Sequence, residues 1–445
     1  MTKSIQRISL AFLAAFGVLA LALGIWSIGS PGLVERDDNA RLIIAEQRIQ
    51  RGAIIDRYDR ILAETIPVSG TFVRHYPDRS AVPAVGYYSI NFGRSEIEEA
   101  LDQTLRGPYG FLDELLHRER AGRSVRLTID LAEQRALTDQ FDRPGGAVVV
   151  SIPDGAIIAL ASYPSFDPNS LDVNWKTLSS DSASPLLNRA TQGLFQPGAI
   201  FETPLLADVI DRGFVSITQT LTRPDQSIAI GSLVLNCYRS EATPTLAEAY
   251  ANACPASFAD LRIALGETEL ISITEHWHLD VPPSLEIRTA AALTATVALT
   301  STEALNAFAT GQSQLTISPL HMALVAATIG NHGNMPQVHL VQDFQSIDGE
   351  WQPYHSDSAT IPAERIISNS TAEIVLAAMR TIDNTAGHSG IAFSGSSQLA
   401  WFIGLAPADR PRYAIAVLIE VPSGQRIDRA EQIGRAALID LIKSR

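Results

Sequence analysis

Two short stretches of this sequence place polar side chains where acid–base or nucleophilic chemistry would need them. Pro197-Gly-Ala-Ile-Phe-Glu202 predicts a tight turn that begins an apolar helix, Ala199 to about Val209, and such turns display the first helical residues at the mouth of a cleft. Downstream, Gly387-His-Ser-Gly-Ile391 sets an imidazole beside a hydroxyl. It lacks the second glycine of a nucleophile elbow and precedes a strand rather than a helix. Neither stretch identifies a nucleophile by itself.

Lysine, which activates the serine of Ser-x-x-Lys enzymes, is scarce in this chain. Only Lys3, Lys176 and Lys443 occur, and the residues three positions before the last two are Val173 and Asp440. No Lys-Thr-Gly or Lys-Ser-Gly occurs either. The sequence therefore contains no serine and lysine spaced for this kind of acylation.

The two cysteines and a pair of histidines are the remaining candidates for redox or metal chemistry. Cys237 and Cys254 lie seventeen residues apart, without further zinc ligands spaced nearby. In a reducing compartment they would be buried thiols or a weak metal pair, and in an oxidising one a disulfide. His276-Trp-His278 could place two ligands on one strand face, but it lies in a turn-rich region. We expect neither a metal nor a cofactor.

Composition and the N-terminal segment indicate the compartment. The 445 residues carry a formal net charge of −14, which argues against nucleic acid or anionic lipid headgroups as partners. Residues 8–28 lack charged side chains, and about 20 apolar residues cross a bilayer. Lys3 and Arg7 precede them, which predicts a cytoplasmic tail at 1–7, a plasma-membrane helix at 8–29 and an extracytoplasmic remainder. A cleaved signal peptide is the alternative. The outside location favours the disulfide.

From about Arg123 the hydrophobic periodicity becomes regular. Two apolar, β-rich runs surround a turn containing Asp154-Gly155, which predicts a hairpin of Gly145–Ser151 with Ala156–Ser162. Residues 30–122 are less regular, although Arg51–Ala63 predicts two strands joined by a polar turn. The other elements that we expect are a strand at 125–130 with a helix at 131–141, helices on both sides of a break at Pro255, a strand at 413–420 and a closing helix at 429–442.

The turn at Pro197 resembles the Pro-Gly-Ser-x-Phe-Lys signature of class B penicillin-binding proteins. In that family of D,D-transpeptidases the serine is acylated and the lysine takes its proton. Here Ala199 stands at the serine position and Glu202 at the lysine position. Alanine has no oxygen to acylate, and glutamate reverses the charge. The resemblance implies that the turn is kept and its chemistry removed.

The second motif of the family is also altered. Leu246–Phe258 resembles the family segment that ends Ser-x-Asn-x-x-Phe, with Ala253 at the serine and Pro255 at the asparagine. Proline has neither a side-chain amide nor a backbone N–H, so the hydrogen-bond relay to the nucleophile would be absent. The only Ser-x-Asn in the chain is Ser89-Ile-Asn91, far from this segment.

The third motif shows the mildest change. Gly387–Ala392 resembles Gly-Lys-Thr-Gly-Thr-Ala, with His388 at the lysine, Ser389 at the threonine and Gly390 retained. Histidine is cationic at low pH, and serine still donates a hydrogen bond. With all three motifs altered, the resemblance implies no catalytic residue at these positions.

The resemblance extends over nearly the whole chain. Arg51–Ala63 resembles the box after the membrane anchor, Gly86-Tyr-Tyr-Ser89 an element of the smaller, actinobacterial-type members, and Gly311–Gly333 the helix and turn below the active-site floor. The resemblance implies an α+β fold of the penicillin-binding and serine β-lactamase type, which is an antiparallel sheet flanked by helices. This transpeptidase-like domain would occupy 123–445, behind a pedestal domain at 30–122.

Three functions follow from these residues. The altered motifs favour a catalytically inactive, membrane-anchored scaffold or regulator of peptidoglycan synthesis in growth or cell division, beside a SEDS-family glycan polymerase. A divergent D,D-transpeptidase or other acyl-transfer enzyme with an unrecognised nucleophile is the second. The third is a sensor that binds a cell-wall ligand in the old cleft.

Two distances can be predicted. Glu202 and His388 would line one cleft where the family has two lysines, so we expect them within ion-pair or one-water distance. An ionised Glu202 would raise the pKa of His388. The alternative is that Pro204, in the first helical turn, directs Glu202 to solvent. For Cys237 and Cys254 a disulfide requires Cα atoms about 4.4–6.8 Å apart.

Overall fold

The structure is a computed structural model that describes residues 2–29, 44, 46–108, 121–221, 226–239, 244–292, 301–312, 315–354, 363–395, 397–422, 425 and 427–443. Its strands are β1 (Ile54–Ile55), β2 (Ile61–Val68), β3 (Thr71–His75), β4 (Tyr88–Ser89), β5 (Gly93–Arg94), β6 (Val125–Leu127), β7 (Gly145–Ser151), β8 (Ile157–Tyr163), β9 (Ile228–Ile230), β10 (Leu233–Leu235), β11 (Asn334–Met335), β12 (Val341–Gln345), β13 (Trp351–Pro353), β14 (Glu364–Arg365), β15 (Arg380–Ile382), β16 (Thr385–Ser394), β17 (Ser397–Ala406) and β18 (Tyr413–Pro422).

The α-helices are α1 (Thr2–Gly29), α2 (Val82–Val85), α3 (Glu96–Ala100), α4 (Asp102–Arg106), α5 (Leu131–Thr138), α6 (Leu171–Ser180), α7 (Glu202–Asp211), α8 (Leu246–Ala251), α9 (Pro255–His276), α10 (Thr302–Ala309), α11 (Pro319–Gly330), α12 (Asn369–Ala378) and α13 (Arg429–Lys443). Short 3₁₀ turns cover Arg79–Ala81, Pro168–Ser170 and Gly198–Phe201. Helix α9 is kinked at Gly266, whose φ of 79° leaves the helical region.

Helix α1 is long and apolar enough to cross a membrane. The apolar part, Ile5–Trp26, has 22 residues, and none of it is buried against the rest of the protein. Large side chains such as Leu10 and Trp26 are about 70% exposed, which only an apolar environment would cover favourably. Length and composition agree with the predicted anchor. Its direction across the membrane stays a prediction.

The central sheet confirms the expected α+β architecture. Its six strands run antiparallel in the order β15-β16-β17-β18-β7-β8, and the predicted hairpin is present as β7 and β8. Alternate residues of a strand face opposite sides of a sheet. Val148 and Val150 accordingly join the core that contains α11, whereas Val149 joins the core that contains α5 and α13. Two helical layers therefore cover the two faces.

A second six-stranded sheet, which we call the base sheet, has the strand order β13-β12-β6-β1-β2-β3. The strand pair expected in Arg51–Ala63 is present, with Ile54 opposite Ala63. Strand β6 and the β12–β13 hairpin follow residue 122 in sequence, so residues on both sides of that position build this sheet. Beside it, Glu98 is fully buried between Arg51 (2.7 Å) and Arg74 (2.6 Å).

Candidate active-site cleft

The turn that opens the first motif is held by close backbone contacts. Gly198 has φ +57°, and a Cβ added there would lie 2.1 Å from the carbonyl oxygen of Ile391, so only glycine fits. The Gly198 N–H donates to the oxygen of Gly311 at 2.8 Å. The expected helix begins as a 3₁₀ turn, and α7 follows from Glu202. Ala199 is thereby fixed at the base of a cleft.

Strand β16 passes directly over this turn. A Cβ added to Gly390 would lie 2.7 Å from the Cβ of Ala199, which explains why glycine is needed there. Two residues earlier, and therefore on the same face of the strand, His388 places its Nε2 3.0 Å from the carbonyl oxygen of Ala199. Because a carbonyl oxygen only accepts, Nε2 carries the proton and donates.

Glu202 and His388 meet in the interior, as predicted. The Oε2 of Glu202 lies 3.6 Å from the Nε2 of His388, and their side chains are at most 1% exposed. The alternative that Pro204 turns Glu202 to solvent is wrong, because Glu202 points inward from the first turn of α7.

The protonation states differ from the expectation. Burial raises the pKa of Glu202 well above its ordinary value, so this carboxyl group keeps its proton. Burial also lowers the pKa of His388 to about 4, although the hydrogen bond to Ala199 opposes that shift. The rise predicted for an ionised Glu202 does not occur, because burial keeps the carboxyl group neutral and penalises the charged imidazole. Within the described part of the chain, neither Glu202 oxygen nor the His388 Nδ1 has a hydrogen-bond partner.

Tyr250 completes this buried cluster and was missed in the sequence. Its ring stacks on His388 with centroids 4.2 Å apart and an angle of 12° between the planes. Its hydroxyl bonds to Thr203 at 2.9 Å, so the ring is fixed from both ends. An aromatic residue on an apolar helix usually belongs to the core, and no spacing signal distinguishes Tyr250 from such a residue.

The second motif lies on the opposite wall. Helix α8 ends at Ala251, Ala253 adopts a left-handed φ of 48°, and Pro255 begins α9 at a position where its missing N–H is not needed. Ala199, Ala253 and Pro255 line one cavity of about 20 Å³. That is room for about one water molecule. The residues expected at the cleft are therefore brought together, but the cleft is nearly filled.

The disulfide fastens a cover over this cleft, which we define as Leu235–Arg239. Cys237 and Cys254 are bonded, as predicted, with Cα atoms 4.0 Å apart, slightly closer than the expected range. The adjacent Tyr238 N–H donates to the oxygen of Ala253 at 3.1 Å. Leu235, Asn236 and Tyr238 line the 20 Å³ cavity together with the motif residues.

Ser389 faces away from Ala199. Its hydroxyl donates to Glu431 of the closing helix at 2.9 Å, and Glu431 also pairs with Arg239 of the cover and with Arg435. The expected hydrogen bond thus exists, but it anchors α13 and the cover. Because His388 and Ser389 are neighbours on a strand, they point to opposite faces.

The two histidines considered as metal ligands contact different carboxylates. His276, at the end of α9, places Nδ1 3.2 Å from Asp208, and His278 places Nε2 3.0 Å from Glu364. Within the described residues no group of three or more histidine, cysteine, aspartate or glutamate side chains could hold a metal ion.

An antiparallel sheet between two helical layers, with a Pro-Gly turn packed against Gly390 of the strand above it, defines a transpeptidase-like class of protein. The sequence profile described as "Penicillin binding protein transpeptidase domain" matches residues 145–438, and "Penicillin binding protein A dimerisation domain" matches residues 51–120. The first match covers more than half of the chain. The chain therefore belongs to the penicillin-binding-protein transpeptidase family.

Relatives from mycobacteria are similar over almost the full length. The chain is 28% identical to the peptidoglycan D,D-transpeptidase PbpA of Mycolicibacterium smegmatis, over 98% of both proteins. It is 28% identical to PbpA of Mycobacterium tuberculosis over 94% of both. The imipenem acyl-enzyme structure of penicillin-binding protein A from M. tuberculosis matches with a TM-score of 0.79 and 28% identity, covering 90% of this chain and all of that one.

Proposed function

We propose that this chain is a catalytically inactive member of its family that acts by binding, as a membrane-anchored scaffold or regulator of peptidoglycan synthesis. The observation that carries the proposal is Ala199 at the position of the family's acylated serine, with a neutral Glu202–His388 pair behind it. Alanine offers no oxygen to an acyl group. A protonated carboxyl group and a neutral imidazole whose Nε2–H is already donated do not replace two cationic lysines.

The filled cleft supports a binding role away from the old active site. A space of about 20 Å³ does not admit a peptide, which argues against a cell-wall sensor at this position. The cover is held by a disulfide, by Tyr238 on Ala253 and by Arg239 on Glu431. We place the ectodomain outside the membrane, where a disulfide persists, and propose a SEDS-family glycan polymerase as the partner.

Labelling with a fluorescent penicillin tests inactivity directly. Penicillin-binding protein A from M. tuberculosis has been seen as penicillin G and imipenem acyl-enzymes and serves as the positive control. We expect no fluorescent band after denaturation and no added mass on the intact chain. An adduct of one β-lactam per chain would contradict the proposal and favour the divergent transpeptidase.

Co-purification tests the scaffold role separately. The full chain, expressed in its native membrane with a C-terminal tag, should be crosslinked to a polytopic glycan polymerase. A variant with α1 replaced by an unrelated membrane-spanning helix is the matched control for contacts within the bilayer. Absence of a polymerase from both samples would contradict the partner, even if penicillin labelling is negative.

A further inference from the structure

A carboxyl group lies where helices α2 and α3 contact the transpeptidase part of the chain. We call this contact the junction, and it consists of residues 82–100, within the dimerisation-domain match, against residues 184–193, within the transpeptidase-domain match. Asn188 Nδ2 donates to the carbonyl oxygen of Pro83 at 2.9 Å. Gln192 Nε2 donates to Oε1 of Glu96 at 3.1 Å. Both hydrogen bonds cross from one match to the other and help to hold the two parts together.

Glu96 is held at the junction in an unfavourable backbone conformation. Its φ is 50°, in the left-handed region that residues with a Cβ rarely adopt. Such a conformation persists where the surrounding contacts determine it. Glu96 lines a cavity of about 20 Å³ together with Ser95 and Asn188, and this volume has room for about one water molecule. An ionised carboxylate at this position is therefore poorly hydrated.

The surroundings of Glu96 favour its neutral form. Its Oε2 atom is buried and has no hydrogen-bond partner among the described residues. Burial raises the pKa of Glu96 to about 7, and the negative charge of Glu99, three residues later, adds to the rise. The hydrogen-bond donors Asn188 and Gln192 and the cation of Arg288 oppose it. The carboxyl group therefore changes its charge near neutral pH.

The other ionisable groups around the junction keep their charge states near neutral pH. Arg288 pairs with Glu99, and Tyr87 stays neutral because burial raises its pKa. Glu98 is held by the two arginines beside the base sheet. Arg189 donates to the carbonyl oxygens of residues 183 and 184. Among the described residues of the junction, the charge that changes near neutral pH is that of Glu96.

We infer that Glu96 is a proton-dependent latch of the junction: with its proton it holds residues 82–100 against residues 184–193, and without it this contact opens more readily. Opening exposes the carboxyl group to water, where its ordinary pKa is 4.5. The raised pKa belongs to the closed form. Closure is therefore favoured fully below pH 4.5 and loses about tenfold per pH unit up to about pH 7, above which the loss is complete. The inference does not depend on whether the family's active site is functional.

Amide hydrogen exchange on the full chain in detergent micelles tests the latch. Protection factors, which correct for the pH dependence of intrinsic exchange, are compared at pH 5 and pH 8 for residues 82–100 and 184–193. We expect protection in the wild type to fall about 70-fold between these pH values, as pKa values of 4.5 in the open form and about 7 in the closed form require. Glu96→Gln keeps the acceptor for Gln192 and cannot ionise, so its protection should stay constant.

Glu99→Gln is the matched control, because it removes an equal charge from the same helix at an exposed side chain. This variant should keep most of the fall in protection, since burial is the main cause of the raised pKa of Glu96. Amides of β17, outside the junction, report global unfolding. An equal fall in wild type and Glu96→Gln would overturn the inference, as would wild-type protection at the junction that is the same at both pH values. A difference between these two proteins that is as large in β17 as in the junction would show a global effect on stability and would overturn the latch as well.

Discussion

Between about pH 4.5 and 6.5, folding moves one proton from His388 to Glu202 and leaves the number of protons bound to this pair unchanged. In the unfolded chain at these pH values glutamate is ionised and histidine is charged, because their ordinary pKa values are 4.5 and 6.5. In the folded protein the carboxyl group is protonated and the imidazole is neutral. Each state therefore binds one proton at this pair, and the pair adds no pH dependence to stability in this range.

Replacing Glu202 by glutamine should separate the opposing contributions of Glu202 and His388 to the pH dependence of folding stability. Above pH 4.5 the carboxyl group of Glu202 loses its proton in the unfolded chain and keeps it in the folded protein. The contribution of this group to the folding equilibrium constant of the wild type therefore falls about tenfold per pH unit, until the pH reaches the raised pKa. Glu202→Gln removes that loss. We expect the variant to gain stability over wild type as pH rises from 5 to 8, measured by urea unfolding.

The same variant leaves His388 as the titrating member of the pair. The folded pKa of His388 is lowered, so its contribution is complete above 6.5 and is lost as pH falls toward 4. Glu202→Gln should accordingly show a stability that rises between pH 4 and 6.5 and then levels off. His388→Gln in wild type is the matched control. A difference between wild type and Glu202→Gln that is independent of pH would contradict the buried, protonated Glu202.

Restoring the serine alone should not restore acylation. Ala199→Ser would supply an oxygen next to a neutral carboxyl group, and Pro255 would still offer no amide. Groups that act as one catalytic unit are strongly non-additive, so a single member gives almost no rate. We expect no mass increase on the intact variant after incubation with penicillin G. A stoichiometric adduct on residue 199 would show that the remaining residues suffice.

Sequence reasoning predicted the position of this pair but not its ionisation. Motif spacing fixes which residues reach the cleft, and it brought Glu202 and His388 within 3.6 Å. Their removal from water also depends on Tyr250, which stacks on His388 and comes from another part of the chain. Desolvation is a property of the assembled core, so the sign of the His388 pKa shift was not accessible from the spacing.

At the scale of elements, the cover and strand β16 decide how open the cleft is. The cover is attached at Cys237 to the second motif and at Arg239 to the closing helix. Strand β16 is attached to that same helix through Ser389 and Glu431. Opening the cleft would therefore require breaking contacts with two other elements.

Removal of the disulfide should lower stability and loosen the cover. The bond closes a loop of 17 residues, and loops of about 15 residues correspond to roughly 3 kcal/mol in the chain-entropy description. Cys237→Ser with Cys254→Ser should lose about that much in urea unfolding, and amide exchange in Leu235–Arg239 should speed up. Reduced wild type is the control for the substitutions. Unchanged exchange in the cover would contradict its attachment by Cys237.

Local patterns predicted the elements that are contiguous in sequence. The hairpin of β7 and β8, the strand pair β1 and β2, and the break before Pro255 all appear where expected, because turn residues and periodicity specify them. The partners of β6 were not predictable in this way. They come from Val341–Gln345, more than two hundred residues later, and a three-residue strand has no periodic signal that names its neighbour.

At the scale of the whole molecule, the chain has the architecture of the penicillin-binding-protein transpeptidase family. The central sheet, its helices and the base sheet are retained over a match that covers 90% of the chain. The side chains that line the 20 Å³ cleft are uncharged and closely packed.

The shared base sheet has a consequence for any attempt to divide this chain into separate pieces. Strand β1 belongs to the membrane-proximal segment and is hydrogen-bonded to β6. Strand β6 in turn pairs with β12, which follows α11 and precedes α12 in the sequence. A fragment of residues 123–445 alone would leave β6 with an open edge on its β1 side, and such edges promote aggregation. The membrane-proximal segment and the residues after 122 therefore depend on each other for a complete sheet, and neither part can be cut away without exposing the edge of the other.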